Sequence, residues 1–351
     1  MTRVVAIILH AVPGPGAGPL ETAFASARAA NAARHVRGFE TAGGVARIVE
    51  TRAGGPPFGA RLRRLAALDA GAGFVVLGSG SVPLAGPADR RAFVAAASGA
   101  GQPLTNNRYS GDIVAIPARV PLADLPDLTA DNGLPRWLAG RGHEVRDLRS
   151  RWRLQVDLDS PLDVLIAGLA GAVAHAAADA AAEDPYARIR DAVTRLRAVA
   201  ADPRAELLVA GRTSAATIGW LEGATASRTR ALIEERGLRT AMPDQRPPRS
   251  TLGLVLDREG PEALGRIVAE LADAAVIDSR VLLAHRLGAN EDAWPPAEDR
   301  FASDLLLPDR IGDPWLRSLT TAAVEASIPI ALGGHTLVGP GLRLLLGRRG
   351  L

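Results

Sequence analysis

Short apolar runs rich in β-branched residues recur along this chain, and most are followed by a turn signal and then a helical pattern. Val4–Leu9, Val45–Val49 and Gly73–Leu77 are such runs, followed by helical spacing from Leu20 to about Phe39, at Gly59–Ala67 and at Pro87–Ala97. Strands that alternate with helices pair through crossover connections, so the pattern predicts a mostly parallel sheet with helices on both faces. Asp112–Ile116, a short helix at Leu134–Arg141 and a last strand at Trp152–Val156 complete this first series. From Asp163 to about Ala201 the chain is alanine-rich and reads as helical, interrupted at Glu183-Asp184-Pro185. A second α/β series follows, with strands at Glu206–Val209, Thr229–Glu234, Thr251–Leu256, Ala274–Ile277 and Ile328–Leu332. Its helices are expected at Ser214–Leu221, Pro261–Ala272 and Pro314–Ala326, and the Pro/Arg-rich stretch MPDQRPPRS is a loop. The expected division is an N-terminal α/β domain over residues 1–165, a helical connector over 166–202 and a C-terminal α/β domain over 203–351.

Composition removes several chemistries. The 351 residues include no cysteine, which excludes disulfides, thiolate zinc sites and cysteine nucleophiles. There is no lysine either, so all 41 strongly basic residues are arginine and Schiff-base catalysis is excluded. The sequence pI near 10.3 is not a nucleic-acid signature. With two tyrosines and no Cys or Lys to titrate, a formal charge of only +3 yields a high pI. No nucleic-acid partner is expected. The apolar run at the start is too short for a signal core or a membrane span. A soluble, cytoplasmic protein with no membrane partner is therefore expected.

Two stretches carry the strongest chemical signal. In VDLDSPLDVLIAG, Val156 to Gly168, Asp157 and Asp159 stand two apart at the end of an expected strand. Ser160 is a good N-cap, Pro161 suits the first helical position, and Asp163 favours the positive end of the helix dipole. Capping explains those three but not the two further acids, and paired carboxylates at a strand end suit Mg²⁺. The second stretch, VVLGSGSVPLAGPAD, runs from a buried strand through Gly78, Ser79, Gly80 and Ser81 into a helix opening at Pro87.

Together these stretches resemble the nucleotidyltransferases of the glycosyltransferase-A-like fold, with the molybdenum-cofactor and phospholactate guanylyltransferase groups the nearest. D-L-D-S-P-x-D is similar to the family's D-[IV]-D-T-P-x-D segment. The cadence through Val82, Pro83, Leu84, Pro87, Ala88 and Asp89 is similar to its V-L-P-A-D-L-P-L-L-x-P-A-D. The resemblance covers roughly the first 170 residues. It implies a nucleotide-diphospho-sugar transferase-like domain that binds a nucleotide or nucleotide-sugar and transfers a nucleotidyl group with Mg²⁺. Asp157 and Asp159 are then catalytic and metal-binding. Ser81 stands where the family has its first metal-binding Asp, and a hydroxyl is a much poorer Mg²⁺ ligand. The family's Gly-rich phosphate loop corresponds to HAVPGPGAGPLETAF, with Gly14, Gly16 and Gly18. Prolines interrupt that loop, so backbone donors remain only near the glycines, and a rigid structural turn is the alternative reading.

Other stretches offer binding groups with equally ordinary structural readings. Asn106, Asn107 and Arg108 could read a base and a phosphate, or form an Asx-type turn before a strand. RDLRSRWR, Arg146 to Arg153, is an exposed basic edge or an anion-steering rim. VAGRTSAATIGWLE ends a strand with Arg212, Thr213 and Ser214 before a helix, which suits an anion or a simple cap. Asp278, Arg280, His285, Asp304 and His335 could supply metal or acid–base chemistry in the second half. Two alternatives therefore stand beside the nucleotidyltransferase reading. One is a catalytically degenerate binding or scaffold protein. The other is an enzyme whose chemistry lies around Asp278, Asp304 and His335.

Overall fold

The computed structural model describes residues 2–99, 101–171, 184–235 and 247–347. The middle of the alanine-rich stretch and part of the MPDQRPPRS loop lie outside them. The chain forms two compact units, unit 1 comprising Met1–Ala17 and Phe24–Leu158, and unit 2 comprising Gly18–Ala23 and Asp159–Leu351.

Unit 1 runs β1 (Val4–Ala11), α1 (Pro19–Thr41, first turn in unit 2), β2 (Val45–Thr51), α2 (Phe58–Ala67), β3 (Gly73–Gly78) and α3 (Pro87–Ala97). It continues with β4 (Leu104–Thr105), β5 (Ile113–Ile116), α4 (Leu134–Gly140) and β6 (Arg146–Asp147). The six strands make one sheet in the order β2-β1-β3-β5-β4-β6. β2, β1 and β3 are parallel, whereas β5 runs antiparallel to both β3 and β4, so the sheet is mixed. Alternate residues of each strand face opposite sides. Val4, Ala6, Ile8, Val75 and Leu77 pack with Ala32, Phe39 and Phe93 from α1 and α3. Val5, Ile7, Phe74 and Val76 pack with Phe58, Leu62, Leu134 and Leu138 from α2 and α4. Helices on both faces follow from those two clusters.

The strand expected at Trp152–Val156 is instead a 3₁₀ turn over Trp152–Gln155, closed by a bond from the Leu154 amide to the Arg151 carbonyl. Only the next residues extend, where Asp157 forms an isolated antiparallel bridge with Ser81.

Unit 2 comprises α5 (Pro161–Gly168), α6 (Ala187–Ala200), β7 (Glu206–Gly211), α7 (Ala215–Ala224), β8 (Arg228–Ile233), α8 (Thr251–Glu259) and α9 (Leu264–Ala269). Then come β9 (Ala274–Asp278), α10 (Ser279–Leu287), α11 (Ala297–Asp304), α12 (Pro314–Glu325), β10 (Ile330–Gly333), α13 (His335–Val338) and α14 (Leu342–Leu346). Its four strands are all parallel, in the order β10-β9-β7-β8. Every residue of α5 from Pro161 to Ala167 is buried, as expected of a helix apolar on all sides. On α6, Ile189, Ala192, Val193, Leu196 and Ala200 face the interior.

Thr251–Leu256, expected as a strand, is the first part of helix α8. Ser250 caps it by accepting the Gly253 amide at 3.0 Å, and Leu252 and Leu256 bury one face four residues apart. The cap and the period of four outweigh the local strand propensity of TLGLVL. No helix among the described residues is long and apolar enough to cross a membrane.

Candidate functional site

In unit 1, β2 and β3 flank β1 on opposite sides. The C-terminal ends of β1 and β3 therefore mark the reversal of strand order where open α/β sheets bind ligands. His10 near the end of β1 and Ser79 just after β3 meet there, with Nδ1 3.0 Å from Oγ. Burial, and then the charge of Arg28, hold His10 below the ordinary imidazole pKa, so it is neutral at pH 7.

The turn after β3 is pinned from behind by α1. Asn31 Nδ2 donates to the carbonyls of Ser79 and Ser81 at 2.8 and 3.3 Å, and His35 Nε2 donates to the Ser81 carbonyl at 2.8 Å. His35 is fully buried with Nδ1 unpartnered, and burial lowers its pKa to about 4.

With its carbonyls held, the turn presents its other side to Asp157. The Leu158 amide donates to the Gly80 carbonyl at 3.1 Å beside the Ser81–Asp157 bridge. This approach requires glycine at position 80. A methyl group there would lie 2.6 Å from the Leu158 carbonyl oxygen, 3.2 Å from Arg28 Nε and 3.4 Å from Asp157 Oδ1. Arg28 and Asp157 thus converge on Gly80. Arg28 Nε is buried without a hydrogen-bond partner, and its guanidinium lies 5.6 Å from the centre of the Phe24 ring. Two positions on, Val82 is β-branched and fully buried at a φ of +41°. Left-handed backbone at such a residue costs about 1–2 kcal/mol, and strain of this kind concentrates at functional turns. The hydroxyl of Ser81 is buried, and Asp157 is half-buried with Oδ1 also accepting its neighbour's amide at 2.9 Å.

Other expected ligand residues are differently placed. Gly14 and Gly16 lie in an exposed loop with open space around them. Gly18 rests against Glu298, whose carboxylate accepts the amides of Leu20 and Glu21 at 3.1 and 3.0 Å. Glu21 returns the arrangement by accepting the Glu298 amide at 3.1 Å. Donors at the start of α1, where the resemblance implies phosphate, are thus held by a carboxylate of the protein. Asn106 is fully buried. It donates to Asp112 Oδ2 and the Leu154 carbonyl at 2.7 and 2.9 Å and accepts the Asp112 and Ile113 amides. That uses all its capacity inside the fold. Asn107 makes an Asx turn to the Tyr109 amide at 3.0 Å, and Arg108 is exposed. In the basic run, Arg149 pairs with Asp147 and Arg151 with Asp89, at 2.9 and 2.6 Å.

Unit 2 gathers Asp159, Arg212, Asp278, Arg280, Asp304 and His335 around the C-terminal ends of its strands. Arg212 forms a two-point pair with Asp278, Nε to Oδ2 at 2.5 Å and Nη2 to Oδ1 at 3.1 Å. Gly211 permits it, because a side chain there, at a φ of +130°, would strike Asp278. Burial opposes the charges of both partners, but each outweighs it for the other, holding Asp278 low and Arg212 high. Arg280 closes a second two-point pair on buried Asp304, with Nη2 2.7 Å from Oδ2.

Asp163 is buried beside that pair, accepting Ser160 Oγ and the Asp159 amide at 3.1 and 2.9 Å, with Oδ1 unpartnered. Burial, with Asp159 and Asp304 adding repulsion, raises its pKa well above the carboxylate range. The carboxylates of Asp278 and Asp304 are therefore saturated by guanidinium. His285 lies apart from them, bonded to Asp257 and to the Ser250 amide. His335 Nδ1–H donates to the Arg212 carbonyl at 2.9 Å, which makes Nε2 the unprotonated nitrogen, and burial lowers its pKa. Glu298 and Arg28 carry no motif in the sequence, and only the fold brings them to these positions. Comparison of the chain with protein-family models, with curated proteins and with solved structures returns no match.

Proposed function

We propose that unit 1 binds a phosphate-bearing nucleotide or nucleotide-sugar at the C-terminal ends of β1 and β3, as a divergent relative of the glycosyltransferase-A-like nucleotidyltransferases. The observation that carries this reading is the bridge between Ser81 and Asp157 beside Arg28. It sets a hydroxyl, a carboxylate and a guanidinium with a buried, unpartnered Nε at the reversal of strand order. Arg28 supplies positive charge for phosphate, and neutral His10 adds a polar group beside Ser79 without repelling a cation.

The donor set suits a Mg²⁺ ion that arrives with its nucleotide. Such an ion takes one or two carboxylates and completes its shell with phosphate oxygens and water. Asp157 would hold it, whereas Asp159, the second acid that the resemblance assigns, belongs to unit 2. Bound there, Mg²⁺ would offset the charge that develops as a nucleophile attacks the α-phosphorus. Ser81 contributes a buried hydroxyl where the family places a carboxylate, so we propose binding as the primary property and transfer as slow. Thermal-shift measurements with GTP, ATP and UDP-glucose test this reading. At least one should stabilise the wild-type chain with Mg²⁺, by a shift reduced in Asp157→Ala. No stabilisation by any of the three, with or without Mg²⁺, contradicts it.

A further inference from the structure

Unit 2 has a strand-order reversal of its own, because β8 and β9 flank β7 on opposite sides. On the turn from β7 to α7, two side chains and a helix start hold donors that the fold leaves unused. Arg212 gives Nε and Nη2 to Asp278, while Nη1 has no partner among the described residues, and the side chain is 17% exposed. Thr213 is nine-tenths buried, yet its Oγ1 has no hydrogen-bond partner. Helix α7 is ten residues long, and its Ser214 cap takes only the Thr217 amide, leaving the amides of Ala215 and Ala216. His335 is tied to the same turn through the Arg212 carbonyl, with Nε2 as its basic nitrogen. The charged groups that act on this imidazole are Arg212, Asp278 and Asp159. Since Asp278 is paired, Asp159 is the one exposed carboxylate among them.

We infer that unit 2 is a second ligand site, whose β7–α7 turn holds the oxyanion of a small phosphate- or carboxylate-bearing molecule. Arg212, Thr213 and the start of α7 bind the anion, and His335 Nε2 is the proton acceptor beside it. An orphan hydroxyl, a guanidinium with a spare edge and a helix N-terminus together match an oxyanion's several lone pairs. The exposed carboxylate of Asp159 opposes the anion and sets how tightly it is held.

The test is a two-dimensional imidazole NMR titration of the full chain with inorganic phosphate and, separately, acetate. Before addition, His335 should show the neutral form protonated at Nδ1. Phosphate should shift that resonance along a saturable curve, with acetate doing the same if a single carboxylate suffices. Arg212→Lys, which keeps a charge beside Asp278, should weaken binding by about tenfold, and Thr213→Val by several-fold. Asp159→Asn should tighten it. Should Arg212→Lys fail to fold, the opposite shifts in Thr213→Val and Asp159→Asn still decide the matter. A His335 resonance unmoved by either anion, or equal affinity in wild type, Thr213→Val and Asp159→Asn, overturns the proposal.

Discussion

At the scale of single residues, close approach and burial decide what each position tolerates. Gly80→Ala drives a methyl group against the Leu158 carbonyl and should cost about 2 kcal/mol while breaking the Ser81–Asp157 bridge. Chemical denaturation measures this, and an unchanged midpoint would show that the two segments do not meet as described. Buried His35 makes stability depend on pH in a definite direction. Its folded pKa of about 4 lies below the unfolded value of about 6.5, so the folded state takes up its proton later. The associated stability is intact above pH 6.5 and falls by about 3 kcal/mol as the pH drops to 4. In His35→Gln that part of the slope should vanish.

Asp163 works with the opposite sign. Its raised pKa means that stability declines as pH rises above the unfolded carboxylate value until the folded pKa is passed. Burial favours its neutral form, which asparagine mimics, so Asp163→Asn should cost less than about 1 kcal/mol. Arg280→Met strands Asp304 as a buried charge and should cost about 3–5 kcal/mol. Equal costs for the two variants would refute the preference of buried Asp163 for its neutral form.

At the scale of elements, periodicity and caps were readable, whereas long-range partners were not. Ser160, Pro161 and Asp163 announced α5 correctly because a helix start depends on adjacent residues. TLGLVL misled because its β-branched and leucine-rich run carries strand propensity, while the deciding cap comes from Ser250 just outside it. Ser250 also donates to Glu234 at 2.7 Å, so Ser250→Ala should cost about 1–2 kcal/mol, read from the thermal midpoint. The strand expected at Trp152–Val156 failed for another reason. β6 is the last strand in the order, and beyond it the chain turns back through residues 151–154 before Asp157 bridges Ser81. The glycine loop leaves a phosphate cradle and a rigid turn both open in the sequence, because nothing local shows that Glu298, far along the chain, binds the first amides of α1.

At the scale of the whole molecule, the alternation of strands and helices was enough to give two α/β units but not the order of their strands. It could not reveal that β5 runs antiparallel, since orientation depends on how short connections close in space. The pairing of Ser81 with Asp157 was legible only as a resemblance between two motifs 76 positions apart, and the bridge gives that pairing a physical form. In the second half, the sequence showed candidate acids but not that Arg212 and Arg280 pair with Asp278 and Asp304.

The most direct measurement is calorimetric titration of GTP into the wild-type chain and into Asp157→Asn, each with Mg²⁺ and with EDTA. A nucleotide site at Gly80 and Asp157 predicts saturable binding to wild type with Mg²⁺, weakened about tenfold by Asp157→Asn or by EDTA. Binding that is indifferent to both Asp157 and Mg²⁺ would contradict it.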